Sequence, residues 1–322
     1  MCNKRFITFI ILAAIGAASI ISAQESNWTE ARKAIHQDIN LCGSNDTAYP
    51  DPTQPLSPTP KGYEPFYLSS YARHGSRWLC DGNQYLDVIN PLKEAHKQGK
   101  LTQEGERLLS IVEEFYQGAK GRLGELTTKG EDQHHRIGMR MAQNFPQIFN
   151  AKNSRVDARS TVVIRCILSM EAECEELARH FRNLTIRNDV SNTYQWYLAP
   201  NTPPFVREAE KGRDGLETKW RQELVHPERF SAQIFNDESY SRTNVNCERL
   251  MRRVFDVCCN MQSHYGAPNL WSYFTEEEAY DLWTLYIRQH YSEYGASKYT
   301  QGKAPFQVQV LLKNFLETAD TI

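Results

Sequence analysis

Residues 65–78 read Pro65-Phe66-Tyr67-Leu68-Ser69-Ser70-Tyr71-Ala72-Arg73-His74-Gly75-Ser76-Arg77-Trp78. The first half is short, apolar and aromatic, the signature of a strand. The second half concentrates charge in a turn. Arg73 and Arg77 flank His74, and Gly75 lets the backbone pass close to whatever the side chains hold. A guanidinium matches phosphate oxygens with a planar fork and keeps its charge at every working pH. Imidazole is a nucleophile or a base near neutrality. A strand that delivers Arg-His-Gly-Ser-Arg to its C-terminal end implies phosphoryl chemistry, with His74 attacking between two clamps.

A second stretch, residues 155–169, carries the same theme. Val156 to Arg159 reads as a brief strand that turns at Ser160-Thr161 into a long helix. Val163, Cys166, Ile167, Met170, Cys174, Leu177, Ala178 and Phe181 recur at helical spacing and mark its buried face. Arg165 lies off that stripe in the first turns. A strand feeding a helix N-terminus receives phosphate well, because free N–H groups and the helix dipole both point at it.

The motif Arg73-His74-Gly75-Ser76-Arg77 resembles the signature of the histidine phosphatase superfamily. The residues around it are most similar to the branch of acid phosphatases, phytases and multiple inositol polyphosphate phosphatases. That branch often has Pro two places after the second Arg, where this chain has Leu79. The Leu126-Thr127-Thr128-Lys129-Gly130 run also resembles the family's turn opening a helix on the central sheet. The resemblance implies an α/β fold, a three-layer α/β/α sandwich with a mainly parallel sheet, plus a helical insertion domain. It implies His74 as catalytic nucleophile, with Arg73, Arg77 and Arg165 as substrate-binding residues around the phosphate; Arg159 is the alternative to Arg165. It implies inositol phosphates as small-molecule substrates, a phosphohistidine intermediate and no cofactor or metal.

The rest of the chain frames these stretches. Lys4 and Arg5 precede an apolar run from Phe6 to Ile21, and Ile21-Ser22-Ala23 offers a small-residue cleavage site. Residues 1–23 are therefore expected to be a signal peptide, and the protein to be periplasmic or secreted. No later stretch is long and apolar enough for a membrane span. The formal charge of −2, from 37 Lys and Arg against 39 Asp and Glu, makes no case for a nucleic-acid partner. Beyond Cys2, seven cysteines remain. An odd number leaves at least one unpaired within the chain, and none has Cys-x-x-Cys spacing, so no metal site is expected.

Residues 24–64 are expected to open with a short helix, Trp28 to Asn40, and to continue as an irregular arm with five prolines from Pro50 to Pro60, which wraps the surface without assigned chemistry. Asn27-Trp28-Thr29, Asn45-Asp46-Thr47 and Asn183-Leu184-Thr185 are glycosylation-type triplets. Residues 65–180 form the expected α/β core, with helices over 85–97 and 102–116 and a third capped at Thr127 or Thr128. His134 and His135 on that third helix read as surface and helix–sheet contacts rather than as ligands. Residues 181–300 read as an α-helical insertion domain with helices over 220–235, 247–264 and 275–294, the last opened by a Thr275–Glu278 capping box. Lys211, Arg213, Lys219 and Arg221 there face either a polyanion or solvent.

Residues 301–322 read as a return to the core. The resembling branch continues into a strand carrying His-Asp or His-Ala-Glu, which protonates the leaving alcohol; that part is expected to be missing. His226-Pro227-Glu228 is similar only in letters, since it falls inside the insertion. The chain is therefore expected to be an impaired phosphatase unless another acid, such as Glu173, substitutes. Two rival readings stand beside it: an exported non-catalytic binder of phosphorylated ligands, and a mutase-like member of the same superfamily.

Overall fold

The computed structural model describes residues 30–322; the expected signal peptide and the Asn27 triplet lie outside them. The architecture is α/β, a small parallel sheet with helices packed on it, joined to a large helical body. Helix α1 covers 30–37 and runs into a 3-10 segment, Ile39–Asp46, opened by the Asp38 carboxylate accepting from the Asn40 N–H. Residues 47–75 then contain neither helix nor strand. Helices α2 (Asn83–Lys97) and α3 (Gln103–Ala119) follow. Next come α4 (Thr128–Asn144) and the single turn α5 (Pro146–Phe149). The caps are those expected of the sequence. The Thr102 hydroxyl accepts from Gly105 N–H and the Thr127 hydroxyl from Gly130 N–H, each satisfying an amide that a helix start leaves free.

The sheet comes from one βαβ unit. Strand β1 (Arg155–Arg159) leads through α6 (Ile164–His180) to β2 (Thr185–Asp189), paired in parallel from Arg155↔Thr185 to Arg159↔Asp189. Strand β2 lies where the sequence reads as helical insertion, and corrects that reading locally. Its Thr-Ile-Arg-Asn-Asp composition hides it: only Ile186 packs inward, against Phe149, Leu177 and their neighbours.

The aromatic run before the motif is not a hydrogen-bonded strand. Phe66 and Tyr71 are exposed, and Leu68 alone packs on the small apolar cluster beside the sheet. The motif's pairing begins after His74. Trp78 N–H donates to Glu125 C=O, Thr127 N–H donates to Ser76 C=O, and Arg77 bridges Leu126 in antiparallel fashion. The run finds no neighbouring ladder among the described residues.

After β2 come α7 (Asn192–Leu198), α8 (Pro204–Glu210), α9 (Leu216–Leu224), α10 (Glu228–Ile234), α11 (Glu238–Asn244), α12 (Cys247–Met261), α13 (Glu276–Tyr294) and α14 (Gln309–Ala319). The single helix expected over 220–235 is two, α9 and α10. Pro227 cannot donate to the ladder and forces the break, and α10 restarts behind it. The Thr275–Glu278 capping box is formed in full. The main core joins α2 and α3 to α10, α12 and α13, with Tyr85, Leu92, Leu108, Phe230, Leu250 and Tyr273 almost wholly buried. A smaller cluster of Ala142, Phe149 and Leu177 seats α4 and α6 against the sheet. Residues 74–77 lie between the two cores.

Candidate active site

The motif loop is held by backbone contact so close that only glycine fits. A Cβ on Gly75 would lie 2.2 Å from the carbonyl oxygen of Gly130, and one on Gly130 2.2 Å from that of Ser76. Gly75 thus lets the loop pack on the first turn of α4, and it also lines the cavity described below. Around this contact, polar groups fix the loop from three helices. The Gly75 N–H donates to Ser169 Oγ at 3.0 Å, and that hydroxyl donates back to Arg165 C=O at 2.8 Å. Ser76 N–H donates to Gln133 Oε1 at 2.9 Å, and Asn260 Nδ2 to Arg77 C=O at 2.9 Å.

His134, expected as a packing residue, belongs to the same scaffold. It is buried; its Nε2 donates to Arg73 C=O at 3.0 Å and its Nδ1 lies 3.2 Å from the Glu173 carboxylate. Glu173 is thereby tied to α4, and it is absent from the wall of the cavity described below.

His74 is half-buried. Its Nδ1 lies 2.8 Å from the Gly75 carbonyl, which can only accept, so Nδ1 carries the proton and Nε2 keeps a free lone pair. Burial lowers the ring's pKa from 6.5 to about 4; the Gly75 bond opposes this, and Arg73, Arg165 and Arg77 add to it. A neutral imidazole ringed by guanidiniums results. Arg73 Nη1 donates to Asn45 C=O at 2.6 Å and Arg77 Nη1 to Trp78 C=O at 2.9 Å. Arg165 stands in the first turn of α6, its Nη1 donating to Gly124 C=O at 3.2 Å and its buried Nε without a partner.

His74, Arg73 and Arg77 line one cavity of about 870 Å³; Arg165 is close enough to depress the His74 pKa but is not on the cavity wall. Arg159, the alternative, is engaged elsewhere: it donates to the Tyr197 hydroxyl at 2.9 Å and lies over the Tyr194 ring. Helix α4 contributes to the wall from Gln133 to Asn144, among them Ile137, Arg140 and Met141.

The Pro-rich arm, to which the sequence assigns no chemistry, crosses this cavity. Tyr49, Pro50, Pro52 and Leu56 line it, and Asp51 is gripped by Arg136 Nε and Arg140 Nη1, each at 3.0 Å. Just before the first of the arm's prolines, Asp46 enters the cavity. Its carboxyl lies 3.9 Å from Arg77 Nη2 and 3.4 Å from Asn260 Nδ2. Burial raises its pKa above the usual carboxylate value, against the pull of Arg77, Arg73, Asn260 and His290. No local pattern marks Asp46, Asn260 or Ser169 as a group, because they meet only through the fold. Gly130 had a signal as part of the Leu-Thr-Thr-Lys-Gly turn, and Ser169 one through its spacing from Arg165.

Among the described residues no three His, Cys, Asp or Glu converge to hold a metal ion, and no helix is long and apolar enough to cross a membrane. His226 merely approaches Glu223 C=O on α9. The described cysteines form no disulfide, and burial pushes the Cys42 and Cys174 thiols up to about 12.

No family model and no curated protein sequence matches the chain. Solved structures do. The multiple inositol polyphosphate phosphatase of Bifidobacterium longum, in complex with inositol hexasulfate, is similar over 87% of this chain and 75% of its own, at TM-score 0.59 and 17% identity. Its complex with phosphate is similar at TM-score 0.55 and 17% identity, over 82% and 70%. At that identity the likeness is one of architecture, and the chain shares the fold of these proteins.

Proposed function

We propose that the chain is an exported phosphomonoesterase that hydrolyses inositol polyphosphates through a phosphohistidine on His74. The observation that carries this reading is a neutral imidazole with a free Nε2, set among Arg73, Arg77 and Arg165 at a cavity of about 870 Å³. The signal-like residues 1–23 support export, to the periplasm or the medium. The fold shared with a phosphatase crystallised with inositol hexasulfate and with phosphate supports the substrate class.

In the first step His74 Nε2 attacks phosphorus in line and the ester oxygen departs. The transferring group spreads its charge over three equatorial oxygens, and Arg73, Arg77 and Arg165 meet that charge without having to reorganise. Burial matters twice here: it keeps the nucleophile unprotonated, and it strengthens each guanidinium–phosphate contact. In the second step water attacks the phosphohistidine and releases phosphate. A cavity of this size also has room for substituents around the reacting phosphate, as a polyphosphorylated ring requires.

The test is phosphate release from phytate between about pH 4 and pH 7, with the mature chain beside His74→Ala. Release by the unsubstituted chain, its loss in His74→Ala, and an acid-labile, base-stable phosphoryl label on the former alone are expected. Equal release from both chains would remove His74 from the reaction. Binding of phytate without release from either would favour the non-catalytic binder.

A further inference from the structure

Hydrolysis of an alkyl phosphate needs a proton for the departing oxygen, since an alkoxide is a poor leaving group. Arginines cannot give one up, and His74 is occupied as nucleophile. Asp46 is the single carboxylic acid among the described residues that line the cavity. Glu173, the acid that the sequence puts forward, is held against His134 and is not on the wall.

We propose that Asp46 is the general acid–base of this site, protonating the leaving alcohol and then taking a proton from the water that cleaves the phosphohistidine. The proposal rests on the phosphatase reading above and extends it to a residue outside the motif. Four observations support it. Asp46 closes the 3-10 segment that precedes the arm's prolines, so backbone structure fixes its position. Its carboxyl is anchored by Asn260 Nδ2, a side chain with no exposure at all. It stands 3.9 Å from Arg77 Nη2, so an ester whose phosphate takes Arg77 brings its bridging oxygen into this neighbourhood. Burial raises its pKa above the usual carboxylate value despite the pull of the arginines.

Substrate sharpens the last point. The groups facing Asp46 are Arg73, Arg77 and His290, which favour its anion, and Asp256, Tyr85 and Tyr286, which do not. A phosphate dianion in the cavity neutralises the arginines, and Asp46 then gains a proton as substrate binds. The proton balance closes over a turnover. In the first step the N–P bond forms as the P–O ester bond breaks, and the Asp46 proton goes to the alcohol. In the second, water's oxygen bonds to phosphorus, its proton returns to Asp46, and the N–P bond breaks to free His74.

The experiment compares two esters on the unsubstituted chain, Asp46→Asn and Asp46→Glu: p-nitrophenyl phosphate, whose phenolate leaves without a proton, and an inositol phosphate, whose alkoxide does not. Asp46→Asn keeps the shape and the Asn260 contact. Its kcat on the inositol ester is expected to fall by about 10²–10⁴-fold. Formation of phosphohistidine from the aryl ester, read as the burst of nitrophenolate, is expected to stay within about tenfold. The fall of kcat at high pH on the inositol ester disappears with the acid, and Asp46→Glu restores part of the rate. An equal loss on both esters, burst included, with an unchanged pH profile would overturn the proposal and leave Asp46 as a prop for Arg77. If the unsubstituted chain gives a His74-dependent burst and Asp46→Asn hydrolyses both esters normally, the acid is wrong and the phosphatase reading stands. If the unsubstituted chain turns over neither ester, both fall.

Discussion

At the scale of single residues, the site turns on what burial does to one imidazole. An exposed histidine would be half-protonated near 6.5, and its Nε2 would be blocked in a large share of molecules under mildly acidic conditions. Removal from water brings the His74 pKa to about 4, and the guanidinium field of Arg73, Arg165 and Arg77 acts in the same direction. The charged form is disfavoured, so the ring stays neutral, as the proposed nucleophile must, down to that pH. We expect kcat/KM to rise with pH through about 4 and to show no His74 limb near 6.5. A titration of the ring by 15N chemical shifts should centre near the same value, and a midpoint at 6.5 would place His74 in open solvent and undo the argument. These four residues were legible in the sequence, because one short motif and one strand-to-helix turn carry them. Asp46 and Asn260 were not. An acid in a 3-10 segment and an amide on α12 acquire meaning only when the chain brings them beside Arg77, 31 residues from one by number and far from the other.

At the scale of elements, the site is a loop clamped between α4 and α6. The two helices meet where Gly138 lets the Glu173 backbone approach, since a Cβ there would stand 2.7 Å from the Glu173 carbonyl oxygen. The Gly75–Gly130 contact does the same for the loop. Gly130→Ala should therefore displace the motif backbone rather than fill a void. Overpacking of this kind costs about 1–3 kcal/mol, and we expect a lower melting temperature together with a large loss of phosphatase activity. Retention of both would mean that the loop sits farther from α4.

Glu173 makes a second expectation at this scale. Through His134 it orients the carbonyl of Arg73 and hence the loop, but it is not on the cavity wall. Glu173→Gln should lower turnover of aryl and alkyl phosphates by the same modest factor, on the order of tenfold; a loss confined to alkyl phosphates would make it the acid instead. Element boundaries were legible wherever a side chain caps a helix, as at Thr102, Thr127 and Thr275. They were lost where tertiary contacts decide. β2 has one inward apolar residue and exists because β1 offers a ladder, and the aromatic run at 65–71 has strand composition without a paired neighbour.

At the scale of the whole molecule, the site lies on the seam between the large helical core and the small α/β unit, and α12 ties the two. Its Asn260 donates to Arg77 C=O and to Asp46. Just beyond it, Gln262 C=O accepts from Lys129 Nζ at 2.7 Å and Ser263 C=O accepts from the Thr127 hydroxyl at 2.8 Å. On the proposed reading, stability and phosphate binding are expected to be coupled at the seam and separable elsewhere. Asn260→Ala leaves the Arg77 carbonyl and the Asp46 carboxyl without their buried donor, a loss of about 1–3 kcal/mol for such groups. Phe230→Ala, deep in the helical core and remote from the motif contacts, costs a comparable or larger amount, about 3–5 kcal/mol. The two variants should differ in kind. At a temperature where both are folded, Asn260→Ala should weaken phosphate inhibition and lower kcat, because Arg77 and Asp46 have lost their common anchor. Phe230→Ala should melt earlier with its phosphate inhibition constant unchanged. If both variants lose phosphate affinity in proportion to stability, the seam has no special role, and binding reports only how much protein is folded.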